Sequence, residues 1–348
     1  MKKALIVSIA IFSFSCLAYA QTKIGLSFPD FATARWPRER DMMVRILNDA
    51  GCVPLVSVAN HDSQLQVSQI REMVSNGAKA IIVVAEDGKA LAPLVDELAA
   101  RGIKIVAYDR LIPTSSIAIY VSFDLVEIGR RQAEGILAAM KQPLGGRIVL
   151  LGGSPTNVPA SFLFRKGQLE VLQPYIARGD MKVVADRWVE NWNPANAEKD
   201  IRQIIIETGG KFDAVVASND GTALGALRAL KEAGLAGKVF ISGQDATAAG
   251  CNSIARRELT VTVLKDTRLF APAVCEIAIK LARDEAVQGL VVRSLSEYMN
   301  DPSLAGNVCC KFLPVALITR ENLKQLVVDS GFQSYEGVYA GVENPPPR

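Results

Sequence analysis

The sequence predicts an α/β chain built as two similar lobes in tandem, each a parallel sheet flanked by helices. Three observations carry this. Short apolar, β-branched runs alternate with helix-length amphipathic segments from Lys23 onward, the alternation restarts after Gly145-Gly146, and strands in both halves end on acids and amides. Alternating strands and helices with short links demand parallel sheets covered on both faces. The length, 348 residues, suits two domains better than one.

In the first half, Lys23 to Phe28 reads as a strand ended by Pro29-Asp30. Arg35 to Ala50 is a helix with Met42, Met43, Ile46 and Leu47 on one face, closed by Gly51. Val53 to Val58 is the second strand, Ser63 to Asn76 a helix capped by Gly77, and Ala80 to Ala85 an all-apolar third strand. Ala90 to Arg101 is a helix ended by Gly102. Ile103 to Arg110 is then a buried strand stopping abruptly at Asp109-Arg110. Ile117 to Ser122 is one more strand, and Phe123-Asp124 opens a helix to about Met140.

The second half repeats the pattern. Arg147 to Leu151 is a strand ending in Gly152-Gly153-Ser154-Pro155, followed by a helix from about Ala160 to Ile176. Strands at Lys182–Ala185, Ala214–Ala217, Val239–Ser242 and Thr260–Leu264 alternate with helices at Ala195–Glu207, Thr222–Ala233 and Ala248–Arg256. Thr267 to Arg283 is a helix. Beyond it the periodicity weakens: Leu290–Val292 and Phe312–Val315 are candidate strands, Arg320–Val328 a short helix, and the segment from 336 to 348 a loose tail.

Residues 1–20 read as an export signal. Lys2 and Lys3 precede an apolar stretch from Ala4 to Leu17, and Ala18-Tyr19-Ala20 suits cleavage before Gln21. The expected location is therefore the periplasm. Cys16 lies in a poor lipobox. Losing Lys2 and Lys3 takes the formal charge from +3 to about +1, which implies no polyanion and excludes nucleic acid as partner. Cys52, Cys251, Cys275, Cys309 and Cys310 remain, an odd number read as buried small hydrophobes with room for one disulfide. With no C-x-x-C and one histidine, His61, a metal site is not expected. Neither a Gly-x-Gly-x-x-Gly nor a P-loop lysine motif is present, so no cofactor is called for.

Ligands of open α/β sheets bind beyond the carboxyl ends of the strands. Asp30, Asp109-Arg110, Asn219-Asp220 and Gln244-Asp245 all occupy such ends, with Lys265 at a fifth. One Asp after a strand is commonly a helix cap. Four such ends across two lobes, with amides and cations beside them, indicate a polar cleft. Carboxylates accept, guanidinium and ammonium donate, and a neutral polyol satisfies both kinds at once. That chemistry is a sugar's. Sugars also present C–H faces to aromatic rings, and Trp36, Trp188 and Trp192 all fall in strand-end links, where Trp192 reads equally well as cover for a sheet edge. A Ser/His/Asp set is not plausible around a lone loop histidine at position 61. Glycoside hydrolysis is disfavoured because each acid has a donor nearby that would hold it ionised.

These residues carry a resemblance. Ala34-Arg35-Trp36, Ser68-Gln69-Ile70-Arg71-Glu72-Met73, Ala107-Tyr108-Asp109-Arg110, Gly152-Gly153-Ser154-Pro155, Val216-Ala217-Ser218-Asn219-Asp220 and Ile241-Ser242-Gly243-Gln244-Asp245 resemble the periplasmic sugar-binding proteins of ABC transporters, most closely those for D-xylose. The likeness runs from about Lys23 to Phe332. It implies the type I periplasmic binding protein fold: two Rossmann-like lobes joined by a three-strand hinge, closing on a pyranose. Expected crossings are Ser122–Asp124, Leu264–Asp266 and roughly Asn300–Gly306, giving a first lobe of 21–123 plus 266–300 and a second of 124–264 plus 306–335.

Carried over by position, the resemblance implies that Arg35, Asp109, Arg110, Asn219, Asp220 and Lys265 hydrogen-bond the sugar, that Trp36 and Trp188 sandwich it, and that Gln244 and Asp245 match the pattern. The family's Asp-Asn-Asn-Ala run is replaced here by Thr156-Asn157-Val158-Pro159-Ala160, so Asn157 is the candidate for its amide, and the sugar specificity stays open. The expected protein is a non-catalytic, monomeric receptor delivering a monosaccharide to a membrane permease. A sensor kinase or chemoreceptor is the alternative partner. The repressors that share such lobes carry a DNA-binding headpiece where this chain has an export signal.

Overall fold

The computed structural model describes residues 21–32, 35–141, 144–154 and 159–348. The export-signal reading and Asn157 lie outside them. In chain order the first half contains β1 (Lys23–Phe28), α1 (Arg35–Asp49), β2 (Val53–Val58), α2 (Ser63–Ser75), β3 (Ala78–Val83), α3 (Gly88–Ala100), β4 (Lys104–Tyr108), β5 (Ile119–Phe123) and α4 (Leu125–Met140). There follow β6 (Gly146–Gly152), α5 (Ala160–Ala177), β7 (Met181–Trp188), α6 (Pro194–Thr208), β8 (Ala214–Ala217), α7 (Asp220–Glu232), β9 (Phe240–Gln244), α8 (Ala248–Ala255), β10 (Val261–Lys265) and α9 (Phe270–Ala282). The chain ends with β11 (Val291–Ser294), α10 (Leu295–Met299), β12 (Asn307–Leu313), β13 (Val315–Ile318), a π-helical turn at Lys324–Asp329 and α11 (Tyr335–Tyr339).

The strands form two sheets, in the orders β11-β12-β5-β4-β3-β1-β2 and β13-β10-β9-β8-β6-β7. Pairing is parallel except for β11 with β12 and β10 with β13. The centre of each sheet is buried on both faces, which is why the central strands are largely apolar: every residue of β8 and β5 is buried. Helix starts follow ordinary capping chemistry. Asp62, Asp87, Asp124, Asn193 and Asn219 each accept backbone N–H groups at the first turn of the following helix.

The chain crosses between sheets three times. It passes from β5 to α4 at Asp124, from β10 toward α9 after Lys265, and from β12 to β13 at Pro314. The third crossing corrects the expected one at 300–306. The run Phe312–Val315 is not one strand: proline has no N–H for a ladder, and the chain changes sheets there. Residues 307–313 therefore pair with β5 in the first sheet, against their expected place in the second lobe. The tail is also not loose. Val338 and Tyr339 are buried in the second lobe's core, Asn252 Nδ2 donates to the Val338 carbonyl at 2.8 Å, and Tyr335 OH donates to the Pro346 carbonyl at 2.5 Å. The five cysteines at 52, 251, 275, 309 and 310 are all unpaired, and all but Cys309 are buried.

Candidate functional site

The strand ends of the two sheets face one cleft of about 570 Å³, a size suited to a small ligand. The first lobe contributes Asp109, Arg110, Tyr120, Ser122, Phe123 and Met299, and the second contributes Phe164, Trp192, Asn219, Gln244, Asp245 and Lys265. The structure thus brings six of the expected polar residues to a single wall-to-wall site. They are Asp109, Arg110, Asn219, Gln244, Asp245 and Lys265.

The backbone at these residues is held in unusual conformations. Asp109 has φ +62°, Asp245 φ +105° and Trp192 φ +55°. Such values are rare for side-chain-bearing residues and cluster where surrounding structure over-determines them. Asp109 is fixed by its own N–H donating to the Val121 carbonyl at 3.0 Å, while its carbonyl accepts from Tyr120 OH at 3.0 Å. Arg110 is tied by Nη1 to the Ala85 carbonyl at 3.0 Å, with Glu86 at 3.8 Å.

Across the cleft, Lys265 Nζ lies 3.7 Å from Asp245 Oδ1, and Gln244 Nε2 also donates to that oxygen. Burial raises the Asp245 carboxyl above its ordinary range, and Lys265 pulls it back. Asn219 caps α7 through Oδ1, accepting from Thr222 N at 2.9 Å, so its amide nitrogen is the group it can offer the cleft.

Four expected residues stand elsewhere. Arg35 does not line the cleft; its Nη1 sits 3.4 Å from Asp109 Oδ2, one step behind. Trp36 is 2% exposed, wedged under the Arg35 guanidinium (4.1 Å to the ring centroid) and against Tyr108, so neither of its faces is open to a ligand. Trp188 packs on Phe162 and under Arg165 at 4.7 Å and is not among the residues lining the cleft. Asp220 is fully buried at the first turn of α7. Its Oδ2 accepts from Thr247 N (2.7 Å) and Thr247 Oγ1 (2.9 Å), and its Oδ1 from Thr262 Oγ1 (2.6 Å). All of its acceptor directions point into the protein. Asp30 is also buried.

The aromatic surface comes instead from Trp192 and Phe164, whose centroids are 6.3 Å apart. Trp192 lies flat on Gly153: a Cβ there would meet the indole at 2.0 Å, so only glycine permits this placement. The indole Nε1 is buried with no hydrogen-bond partner among the described residues. Trp188 ends β7 and Trp192 lies in the link that follows, so the two look alike in sequence. The positive φ at Asn191 and Trp192 swings the second toward the cleft. Glu39, behind Arg35, was also not visible as part of the site. Its one signal is its place in α1, where Trp36, Glu39, Met43 and Leu47 form the buried stripe.

This arrangement sets carboxylates, cations and amides from two lobes around a small cavity with an indole at its back. It can hold a neutral molecule rich in hydroxyls with one apolar face. Two carboxylates, Asp109 and Asp245, make it unwelcoming to an anion.

Comparison with known proteins agrees. The family model described as "Periplasmic binding protein domain" matches residues 24–286. The chain is 38% identical over 312 residues to the D-xylose-binding periplasmic protein of Escherichia coli (strain K12), covering 90% of this chain and 91% of that one. It is 36% identical over 346 residues to the D-xylose-binding periplasmic protein of Haemophilus influenzae, covering 97% and 99%. A solved ABC transporter solute binding protein from Clostridium phytofermentans, with bound β-D-glucose, is similar with a TM-score of 0.68 at 26% identity, over 91% of this chain and 100% of that one.

Proposed function

The chain belongs to the periplasmic binding protein domain family, whose members are receptors and not enzymes, and from that premise we propose that it captures D-xylose or a similar aldopyranose and hands it to an ABC sugar permease. The observation that carries this reading is the single cleft lined by Asp109 and Arg110 from one lobe and by Asn219, Gln244, Asp245 and Lys265 from the other. A cyclic sugar in that position bonds both lobes at once. Contacts to both lobes are absent from an open state, so the ligand stabilises the closed one. Trp192 supplies the platform for the C–H face.

In this reading the closed form presents a surface made by both lobes, which the permease recognises. Export through the leader at residues 1–20 places the receptor in the periplasm. The two D-xylose-binding relatives support a pentose, and a cleft of about 570 Å³ is of a size for a small ligand. Titration calorimetry against a panel of pentoses and hexoses tests the proposal. Saturable one-to-one binding with D-xylose among the tightest is expected. Failure of every aldopyranose to bind would refute it.

A further inference from the structure

Behind the cleft wall lies a charge cluster that ligand contact alone does not explain. Arg35 Nε donates to Glu39 Oε1 at 3.0 Å, Arg35 Nη1 to Asp109 Oδ2 at 3.4 Å, and Arg35 Nη2 lies 3.4 Å from Tyr108 OH. Tyr108 OH donates in turn to Glu39 Oε2. Trp36 and Phe270 close the cluster with apolar surface, their ring centroids 4.1 and 5.5 Å from the guanidinium carbon. One guanidinium therefore serves two carboxylates. Glu39 is buried, whereas the side chains of Arg35 and Asp109 are still 32% and 29% exposed.

We propose that Glu39 is a positioning residue that sets Arg35 behind Asp109 and takes up a proton when sugar fills the cleft. The proposal rests on the sugar-receptor reading above. With both acids ionised the cluster carries an excess negative charge, tolerated while water reaches Asp109 and Arg35. A neutral sugar and lobe closure remove that water without adding a positive charge. The repulsion between Glu39 and Asp109 then grows, because the medium between them screens less. The less solvated acid is the one to accept the proton. Neutral Glu39 still accepts from Arg35 Nε, and its new O–H donates to Tyr108 O. The full positive charge of Arg35 is then left to Asp109, which faces the ligand. Burial already places Glu39 near its switching point, holding it up at about 7 against the pull of Arg35. Among the described residues, the charged groups acting on it are Arg35 from α1 and Asp109 beyond β4; Tyr108 from β4 hydrogen-bonds it, and Phe270 of α9 packs on Arg35.

Calorimetry with D-xylose in buffers of different ionisation enthalpy, from pH 6 to 9, counts the protons exchanged. Uptake of a fraction of a proton is expected near and above pH 7. Affinity should fall with rising pH there by up to about tenfold per pH unit. Asp220 and Asp245 in the other lobe also titrate, so the decisive quantity is the difference between wild type and Glu39→Gln. That variant is expected to lose the uptake and the pH dependence together. Tyr108→Phe removes a donor to ionised Glu39 and should move the wild-type profile to higher pH. Binding without proton uptake in wild type, or uptake undiminished in Glu39→Gln and unshifted in Tyr108→Phe, overturns the proposal. Absence of D-xylose binding at every pH refutes instead the receptor reading, and the inference with it.

Discussion

Two tryptophans four positions apart, Trp188 and Trp192, have opposite surroundings, and single substitutions should separate them. Trp192 rests on Gly153 at the back of the cleft. Trp192→Ala should weaken D-xylose binding by about 2–3 kcal/mol, roughly a hundredfold in Kd, in a calorimetric titration. Trp188 stacks with Arg165, so Trp188→Ala should lower the melting temperature and leave affinity within a few-fold. Asp220 is the second residue whose surroundings contradict its position. Burial raises its carboxyl from 3.8 to about 6, although three donors favour the charged form. The folded state thus holds a proton that the unfolded chain has already lost. Its contribution to stability is complete below pH ~4 and disappears as pH rises through about 6. The amount is on the order of 3 kcal/mol. Denaturant melts from pH 4 to 7 should show this decline, and Asp220→Asn should remove that part of the slope. In sequence, Asp109, Asp220 and Asp245 are indistinguishable acids after strands. Only the two with positive φ and a cleft beside them face outward. Thr247 and Thr262, which turn Asp220 inward, come from loops and strands far along the chain, beyond any local signal.

At the level of elements, the parallel core was legible because burial on both faces writes apolar runs into β3, β5 and β8. The third crossing was not, because β12 and β13 are only half-buried and are separated by Pro314 alone. Their partners decide their sheets, and those partners lie far back in the chain, Cys310 pairing with Tyr120 and Ile318 with Thr262. The contact between α4 and α5 shows what positions the second lobe's wall. A Cβ on Gly167 would stand 1.9 Å from the Val126 carbonyl oxygen, and one on Gly129 2.0 Å from that of Phe164. The two helix backbones touch through this pair of glycines. Gly167→Ala must push the helices apart, at a cost of about 3 kcal/mol in a chemical denaturation experiment. Because Phe164 of α5 lines the cleft, the same variant should also weaken sugar binding.

For the whole molecule, the distribution of polar groups between the lobes predicts the order of events. The second lobe offers Asn219, Gln244, Asp245, Lys265 and the Trp192 ring; the first offers chiefly Asp109 and Arg110. In the proposed reading, a sugar landing on the second lobe already meets most of its partners. Closure in that reading rests on a few first-lobe contacts, and we propose that the chain flexes at the three crossings, at Asp124, after Lys265 and at Pro314. A ligand shifts an open–closed equilibrium only by its differential affinity for the two states. In the proposed reading, Asp109→Ala removes a contact made only on closure, whereas Asp245→Ala removes one made before it. Both should cost about 2–3 kcal/mol of affinity, since each leaves donors unpaired. They should differ in shape at saturation. Small-angle scattering with excess D-xylose should find Asp245→Ala contracted like wild type and Asp109→Ala at the dimensions of the ligand-free protein. Equal contraction in both variants would mean that the first lobe's acid does not hold the cleft shut.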